Sequence, residues 1–461
     1  MISLISRTPI ASVDCKLLQK NMMKESLVLL KRFIIALWMC FYSQWALASL
    51  PIEHWQTTSG VRVYFVESHD LPILDISVEF AAGSGQDTAS RSGLANLVQH
   101  LLSLGAGGLT EDQIAMGLAD VGAQLKSNFD RDRAGVSLRT LSSESERKRA
   151  LDIFARIIQQ PEFAQDVVQR EKARVIASIK EASTKPDHIA ERTLMQMLYG
   201  SHSYGFNEDG EIETLNTLQR DDLVSFYRTY YVAKNAVVTI IGDVTKPEAA
   251  AIAESLTQKL SSEARDIHLS PVSIPVGEIK RIAHPATQSH ILLAYPGLRR
   301  KDPDYFPLLV GNHILGGGGF VSRLMEEVRQ QRGLAYSVYS FFAPYQEQGP
   351  FQIGLQTKKE QSEEALALTQ KVLKEFVMHG PTDAELVAAK QNIIGSFPLR
   401  IDSNSKILTF LAMIGFYQLP LTYLNDYLEA VEAVTVEQIR QAFQRRIQPD
   451  GMVTVVVGGK E

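Results

Sequence analysis

The chain has 461 residues, 45% of them hydrophobic and 21% charged, with a formal net charge of −5. That length exceeds one ordinary hydrophobic core and predicts two domains of roughly 200 residues each. The composition excludes a disordered, collagen-like or low-complexity chain, since no low-complexity run and no block of like charges interrupts it.

Residues 1–48 read differently from the rest. Lys24, Lys31 and Arg32 precede the apolar run "FIIALWMCFYSQW", which Ala46-Leu47-Ala48 follows. This is the pattern of a secretory signal peptide, and it predicts a periplasmic protein cleaved after Ala48. The run is shorter than the about 20 residues a spanning helix needs, so no stable membrane span is expected after cleavage. An uncleaved anchor is the alternative, and Met22 or Met23 would serve equally well as the start. Cys15 and Cys40 both fall in this segment, and Cys40 follows Met39 rather than the small residue of a lipoprotein site. The remaining chain has no cysteine and can form neither a disulfide nor a thiolate metal site. Six basic and two acidic side chains also precede residue 49, so the remainder carries −9, which argues against nucleic acid as a partner.

From residue 60, "VRVYFVES" and "ILDISVEFAAGS" alternate as two strands joined by a His-Asp-Leu-Pro turn. Helical patterns run from 93 to about 120 and from 146 to 232, and "AQLKSNFDRDRAGVSLRTLS" between them predicts paired strands. "AVVTIIGDV" is a buried strand that ends in a Gly-Asp turn. Strands, then helices, then a closing strand imply an α+β layer. The order then recurs, with "HILLAYPGL" as strand, "YFPLLVGNHIL" as helix and "GMVTVVVGG" as the counterpart of "AVVTIIGDV". His100 and His313 stand 213 residues apart and the two Val-Thr pairs 215 apart, which predicts an internal duplication. The expected boundaries are a first domain over 49–262, a polar, Pro-containing linker over 263–277 and a second domain over 278–461.

Within "GLANLVQHLLSLG" the Leu/Val positions form a core-facing stripe, and Asn96, Gln99, His100 and Ser103 share another at i, i+3, i+4, i+7 spacing. This block, with "REKARVIASIKEA", "YGSHSYGFNEDGEIETL", "FYRTYYVAKNAVVTIIGDV" and "GGGGFVSRLMEEVRQQRGLAYSVYS", resembles the pitrilysin/insulinase-like zinc peptidases, the inverted zincins whose helix carries H-x-x-E-H. The resemblance implies two homologous domains, each a mixed, mostly antiparallel sheet packed with helices, together forming half of a clamshell chamber.

It also implies where a zinc site would stand. The first His position is Asn96, the general-base Glu position is Gln99, and the second His position is His100. The supporting Glu matches Glu171, and the third ligand position is Ser178. Two ligands and the base are missing, so a degenerate site with no metal in this chain is expected. A lone imidazole cannot hold zinc, and Gln99 cannot accept the proton of a bound water. The residues leave two readings of His100, a satisfied core histidine or a remnant metal site that uses Glu171.

The resemblance further implies that Arg329 and Tyr336, seven residues apart in "VRQQRGLAYSV", bind substrate across the chamber, as a guanidinium fork and a phenol can grip a peptide carbonyl. Read locally, they could equally be a solvated helix residue and a core strand residue. The glycines at 316–319 would allow close backbone approach or merely end a helix. The strand at Gln124–Phe129 would offer an edge to substrate, although Lys126-Ser127 replaces the family's Asn-Ala pair there.

The expected function is therefore a noncatalytic, substrate-binding subunit of a periplasmic zinc peptidase complex that cleaves peptides or unfolded segments. A similar-sized partner with intact H-x-x-E-H would supply zinc and base in a heterodimer. The alternative is a homodimeric pseudoenzyme that binds peptides or acts as a scaffold.

Overall fold

The computed structural model describes residues 51–263 and 268–458. The signal-peptide, cleavage and cysteine expectations fall on residues outside that range. In chain order the elements are β1 (Glu53–Gln56), β2 (Arg62–Glu67), β3 (Ile73–Phe80), α1 (Leu94–Leu101), α2 (Glu111–Ala119), β4 (Gln124–Phe129), β5 (Ala134–Leu141), α3 (Glu144–Gln159), α4 (Gln165–Ala182), α5 (Pro186–Tyr199), α6 (Ile212–Thr217), α7 (Arg220–Tyr230), β6 (Ala236–Gly242) and α8 (Lys246–Thr257). They continue as β7 (Ile279–Ile282), β8 (Gln288–Pro296), α9 (Tyr305–Asn312), β9 (Ser337–Phe342), β10 (Pro350–Lys358), α10 (Ser362–His379), α11 (Asp383–Ser396), α12 (Asn404–Tyr417), α13 (Tyr423–Ala433), α14 (Val436–Arg446) and β11 (Val453–Val457). No helix among the described residues is long and apolar enough to cross a membrane.

The strands form two sheets, a six-stranded one ordered β1-β2-β6-β3-β5-β4 and a five-stranded one ordered β7-β11-β8-β10-β9. In the first, β2 pairs with β6 in parallel and the other neighbours are antiparallel. In the second, β7 pairs with β11 in parallel and the remainder are again antiparallel. The two sheets thus share one topology, with β1 added to the first. The register repeats too, since Thr239 of β6 faces Ser77 of β3 and Thr454 of β11 faces Leu293 of β8. This is the α+β architecture of two similar units that the 213–215 residue offset implies.

Helices reach across the two units, which form one compact body from Ile52 onward. Helix α5 lies on β8 and β11 of the second sheet, where Ala190, Leu194, Leu198 and Tyr199 pack with Leu292, Ala294, Val453 and Val455. Its counterpart α12 lies on β2, β3 and β6 of the first sheet, and Arg62 of β2 donates to the Gly415 carbonyl at 3.0 Å. Each sheet therefore has one face closed by a helix from the other unit, a source of stability that local periodicity does not show. Between Thr257 and Ile279 the described residues form no helix or strand. Val272 there is buried against the α5 cluster, and the Ser270 carbonyl bonds to His202 Nε2 at 2.7 Å.

The helical pattern expected over 93–120 is two short helices, because Gly105, Gly107 and Gly108 take positive φ and turn the chain between α1 and α2. The Thr110 hydroxyl then caps α2 in a reciprocal capping box with Gln113. In the second unit, α9 runs into a π-helical turn over His313–Gly317, and a second π-helical segment covers Met325–Gln331. Such wide turns are rare inside helices and cluster at functional sites.

Candidate functional site

Helix α1 begins at a fixed point. Gly93 has φ +88°, and a Cβ there would sit 2.6 Å from Gly210 Cα, so only glycine fits that junction. The buried Asp87 carboxylate accepts from the Gly93 and Ala95 amides at 2.8 and 2.9 Å, which satisfies two donors at the helix start. Burial nonetheless pushes its pKa up to about 7, against the lowering effect of those two bonds.

The structure separates the side chains that replace the zinc motif. Asn96 turns outward and donates to Asp209 Oδ1 at 2.9 Å. Gln99 is only 2% exposed. Its amide nitrogen donates to the Gly135 carbonyl of β5 at 2.6 Å, and its oxygen accepts from Tyr231 Oη at 3.3 Å. A carboxylate at 99 could not donate to that carbonyl, so the position is built for an amide. Gln99 is thus a structural tie between helix and sheet.

His100 meets Glu171. Helix α4 packs against α1 and brings the Glu171 carboxylate to 3.0 Å from His100 Nε2. Arg170 Nε and Arg174 Nη1 approach the same carboxylate at 2.6 and 3.1 Å. Burial, at 1% side-chain exposure, disfavours the ionised form. The hydrogen bonds from His100, Arg170 and Arg174 outweigh it and hold the pKa down at about 2. The carboxylate is thus engaged by three side-chain donors. Ser178, two turns along α4, is exposed.

Among the described residues, no three His, Cys, Asp or Glu side chains converge as a metal cage would require. The residues present therefore do not fit zinc: one imidazole is bonded to a carboxylate, one amide is bound to Asp209 and one is built into the sheet. The two arginines that complete the Glu171 cluster stand at i−1 and i+3 on the same helix, a signal readable in the sequence. The tertiary partners Asp209, Gly135 and Tyr231 left no such signal.

In the second unit, Arg329 lies on the Met325–Gln331 π-helical segment with its guanidinium 4.9 Å from the Phe320 ring centroid. Tyr336 immediately precedes β9, the edge strand of its sheet, and is 52% exposed, so it is not a core residue. Phe320, against which Arg329 packs, and Val321 are 67% and 79% exposed. The glycines at 316–319 have two different local settings. A Cβ on Gly316 would meet Ser340 Oγ at 2.4 Å, whereas Gly319 turns the chain at φ +64°. Strand β4, with Lys126 and Ser127 exposed, is likewise the edge of the first sheet, so both sheets end in an edge strand near these candidate residues.

Comparison with known proteins gives the family. Residues 62–207 match the family model for insulinase, peptidase family M16, and residues 217–393 match the peptidase M16 inactive domain. A crystal structure of a peptidase M16 inactive domain from Pseudomonas fluorescens is 38% identical and superposes with a TM-score of 0.86, covering 89% of this chain and 98% of that one. A Helicobacter pylori protein described as the non-peptidase homolog YmxG is 25% identical over 94% of this chain and 99% of its own length. The Bacillus subtilis protein described as the uncharacterized zinc protease YmxG is 26% identical over 77% of this chain and 86% of its own length. With the fold, the duplicated sheets and the matched domains in agreement, the chain belongs to the insulinase family of zinc peptidases, family M16, as a member without the zinc-binding motif.

Proposed function

We propose that this chain is the noncatalytic, substrate-binding subunit of a periplasmic zinc peptidase complex, with Arg329 and Tyr336 acting on substrate held by a catalytic partner. The observation that carries this reading is the asymmetry between the two units. In the first unit Gln99 and His100 are engaged in structural bonds to Gly135 and Glu171. In the second unit Tyr336 stays exposed at a sheet edge and Arg329 sits beside exposed Phe320. A guanidinium and a phenol in that setting suit a peptide carbonyl and the charge that develops on it during cleavage. The edge strands give an extended peptide main-chain partners. The family assignment and the non-peptidase description of the Helicobacter pylori relative support the noncatalytic part. The partner, a chain of similar size with intact H-x-x-E-H, would hold zinc and the general base, and the two would close as halves of a clamshell.

The test is purification of the tagged chain from its own cells, with mass spectrometry of what accompanies it. A similar-sized chain with an intact motif supports the heterodimer. Recovery of this chain as a self-associated species, with no zinc peptidase, favours a homodimeric peptide-binding or scaffolding protein.

A further inference from the structure

A cavity of about 470 Å³ opens where β2 and the turn into β6 meet the loop after β8 and the end of α12. Arg62, Lys234, Arg299, Arg300 and Lys301 line it, and no acidic side chain does. Five cations in one cavity are unexpected in a chain that carries −9 beyond residue 48.

Their counter-charges are engaged elsewhere. Asp302 and Asp304 are held by Arg445 and Arg446, and Asp130 is held by Arg133. Arg299 pairs with Glu347 at 2.5 Å, but Arg62, Lys234, Arg300 and Lys301 have no carboxylate partner among the described residues. Arg62 is half-buried, donates to the Gly415 carbonyl and interacts with the Tyr64 phenol, and burial lowers its pKa. Arg300 lies 5.2 Å from the Tyr417 ring centroid. Its Nε is buried and has no acceptor among the described residues.

We propose that this cavity binds a small oligophosphate-type anion between the two units. Planar guanidinium forks match phosphate oxygens in pairs, and the exposed lysines at 234 and 301 add point charges at the mouth. The volume suits a compact ligand and not a folded partner. The Tyr417 ring is already covered by Arg300 and Arg133, so recognition rests on phosphate and not on a stacked base. Because Arg62 and Lys234 belong to one unit and Arg299–Lys301 to the other, the bound anion would also hold the units together. The same chemistry is offered by a soluble oligophosphate or by a phosphorylated lipid headgroup.

Calorimetric titration of the full chain with sodium tripolyphosphate, at about 150 mM salt to suppress loose surface attraction, tests this. One saturable site is expected, weakened about ten-fold or more in the Lys234→Gln/Lys301→Gln variant. Both lysines are exposed, so the variant's unliganded melting temperature should match the parent's. Arg300→Gln should weaken binding equally. Sedimentation with phosphatidylcholine vesicles, with and without phosphatidylinositol bisphosphate, separates the sources. Lysine-dependent capture on the phosphorylated vesicles assigns a lipid headgroup, and tripolyphosphate binding without capture assigns a soluble anion. Absence of binding to both probes, or equal affinity in parent and variants, would overturn the proposal.

Discussion

Tyr417 Oη donates to Asp132 Oδ2 at 2.7 Å, joining residues 285 positions apart and tying the α12 helix of the second unit to the loop between β4 and β5 of the first. Tyr204 Oη donates to the other oxygen, and the Gln346 amide reaches Oδ2 at 2.6 Å. Burial raises the Asp132 pKa to about 6, aggravated by Asp130 and opposed by the two phenols. Its folded value lies above the unfolded one, so its contribution to stability is fully present below pH 3.8 and diminishes as pH rises through 6. Tyr417→Phe removes one donor to the ionised form and raises that pKa further. The variant should lose about 1–2 kcal/mol, with the larger loss at pH 8 than at pH 5. Urea denaturation at the two pH values measures it, and a pH-independent loss would remove Asp132 from the explanation.

Glu171 has the opposite sign. Its folded pKa of about 2 lies below the ordinary carboxylate value. The stabilisation is therefore present above pH 4.5 and lost as pH falls towards 2. Glu171→Gln should cost about 2 kcal/mol at pH 7 and flatten the acid limb of the stability profile. Thermal melts between pH 3 and pH 7 decide this; an unchanged acid limb would show that other carboxylates govern acid unfolding.

Leu194 is fully buried where α5 meets the second sheet. Leu194→Ala should cost about 3 kcal/mol through the cavity it leaves. Because α5 and α12 are exchanged between units, the chain should still unfold in one cooperative step. Two separated transitions by calorimetry would mean that the units are energetically independent.

Alternation made β2 and β3 legible, and short apolar runs bounded by turn residues did so for β6, β8 and β11. The duplication was legible through His100/His313 and the Val-Thr pairs, and the structure shows it as two sheets of one topology. The exchange of α5 and α12 was not, because amphipathic spacing shows that a helix buries one face but not against which sheet. The same limit applied at the candidate site. The resemblance implied that the ligand and base positions at 96, 99 and 178 are replaced and that only His100 is kept. What those side chains do instead depends on Asp209, Gly135 and Tyr231, brought in by tertiary contacts. The break between α1 and α2 was written in glycines whose positive φ the hydrophobic periodicity overrode.

The degenerate site also allows a test by restoration. Asn96 and His100 are one turn apart on α1, and Ser178 is exposed two turns beyond Glu171 on the packed helix α4. Asn96→His with Ser178→Glu would supply an imidazole and a carboxylate beside His100, a ligand set that zinc accepts. Gln99 stays in place, because its amide donates to Gly135 and a carboxylate there would be buried without that bond. The double variant should acquire about one zinc per chain while remaining inactive towards peptides for want of a base, whereas the parent retains none after dialysis. Elemental analysis of both proteins measures this. Stoichiometric zinc in the parent would show that His100 still belongs to a metal site, and a metal-free double variant would show that α1 and α4 no longer hold the ligand geometry.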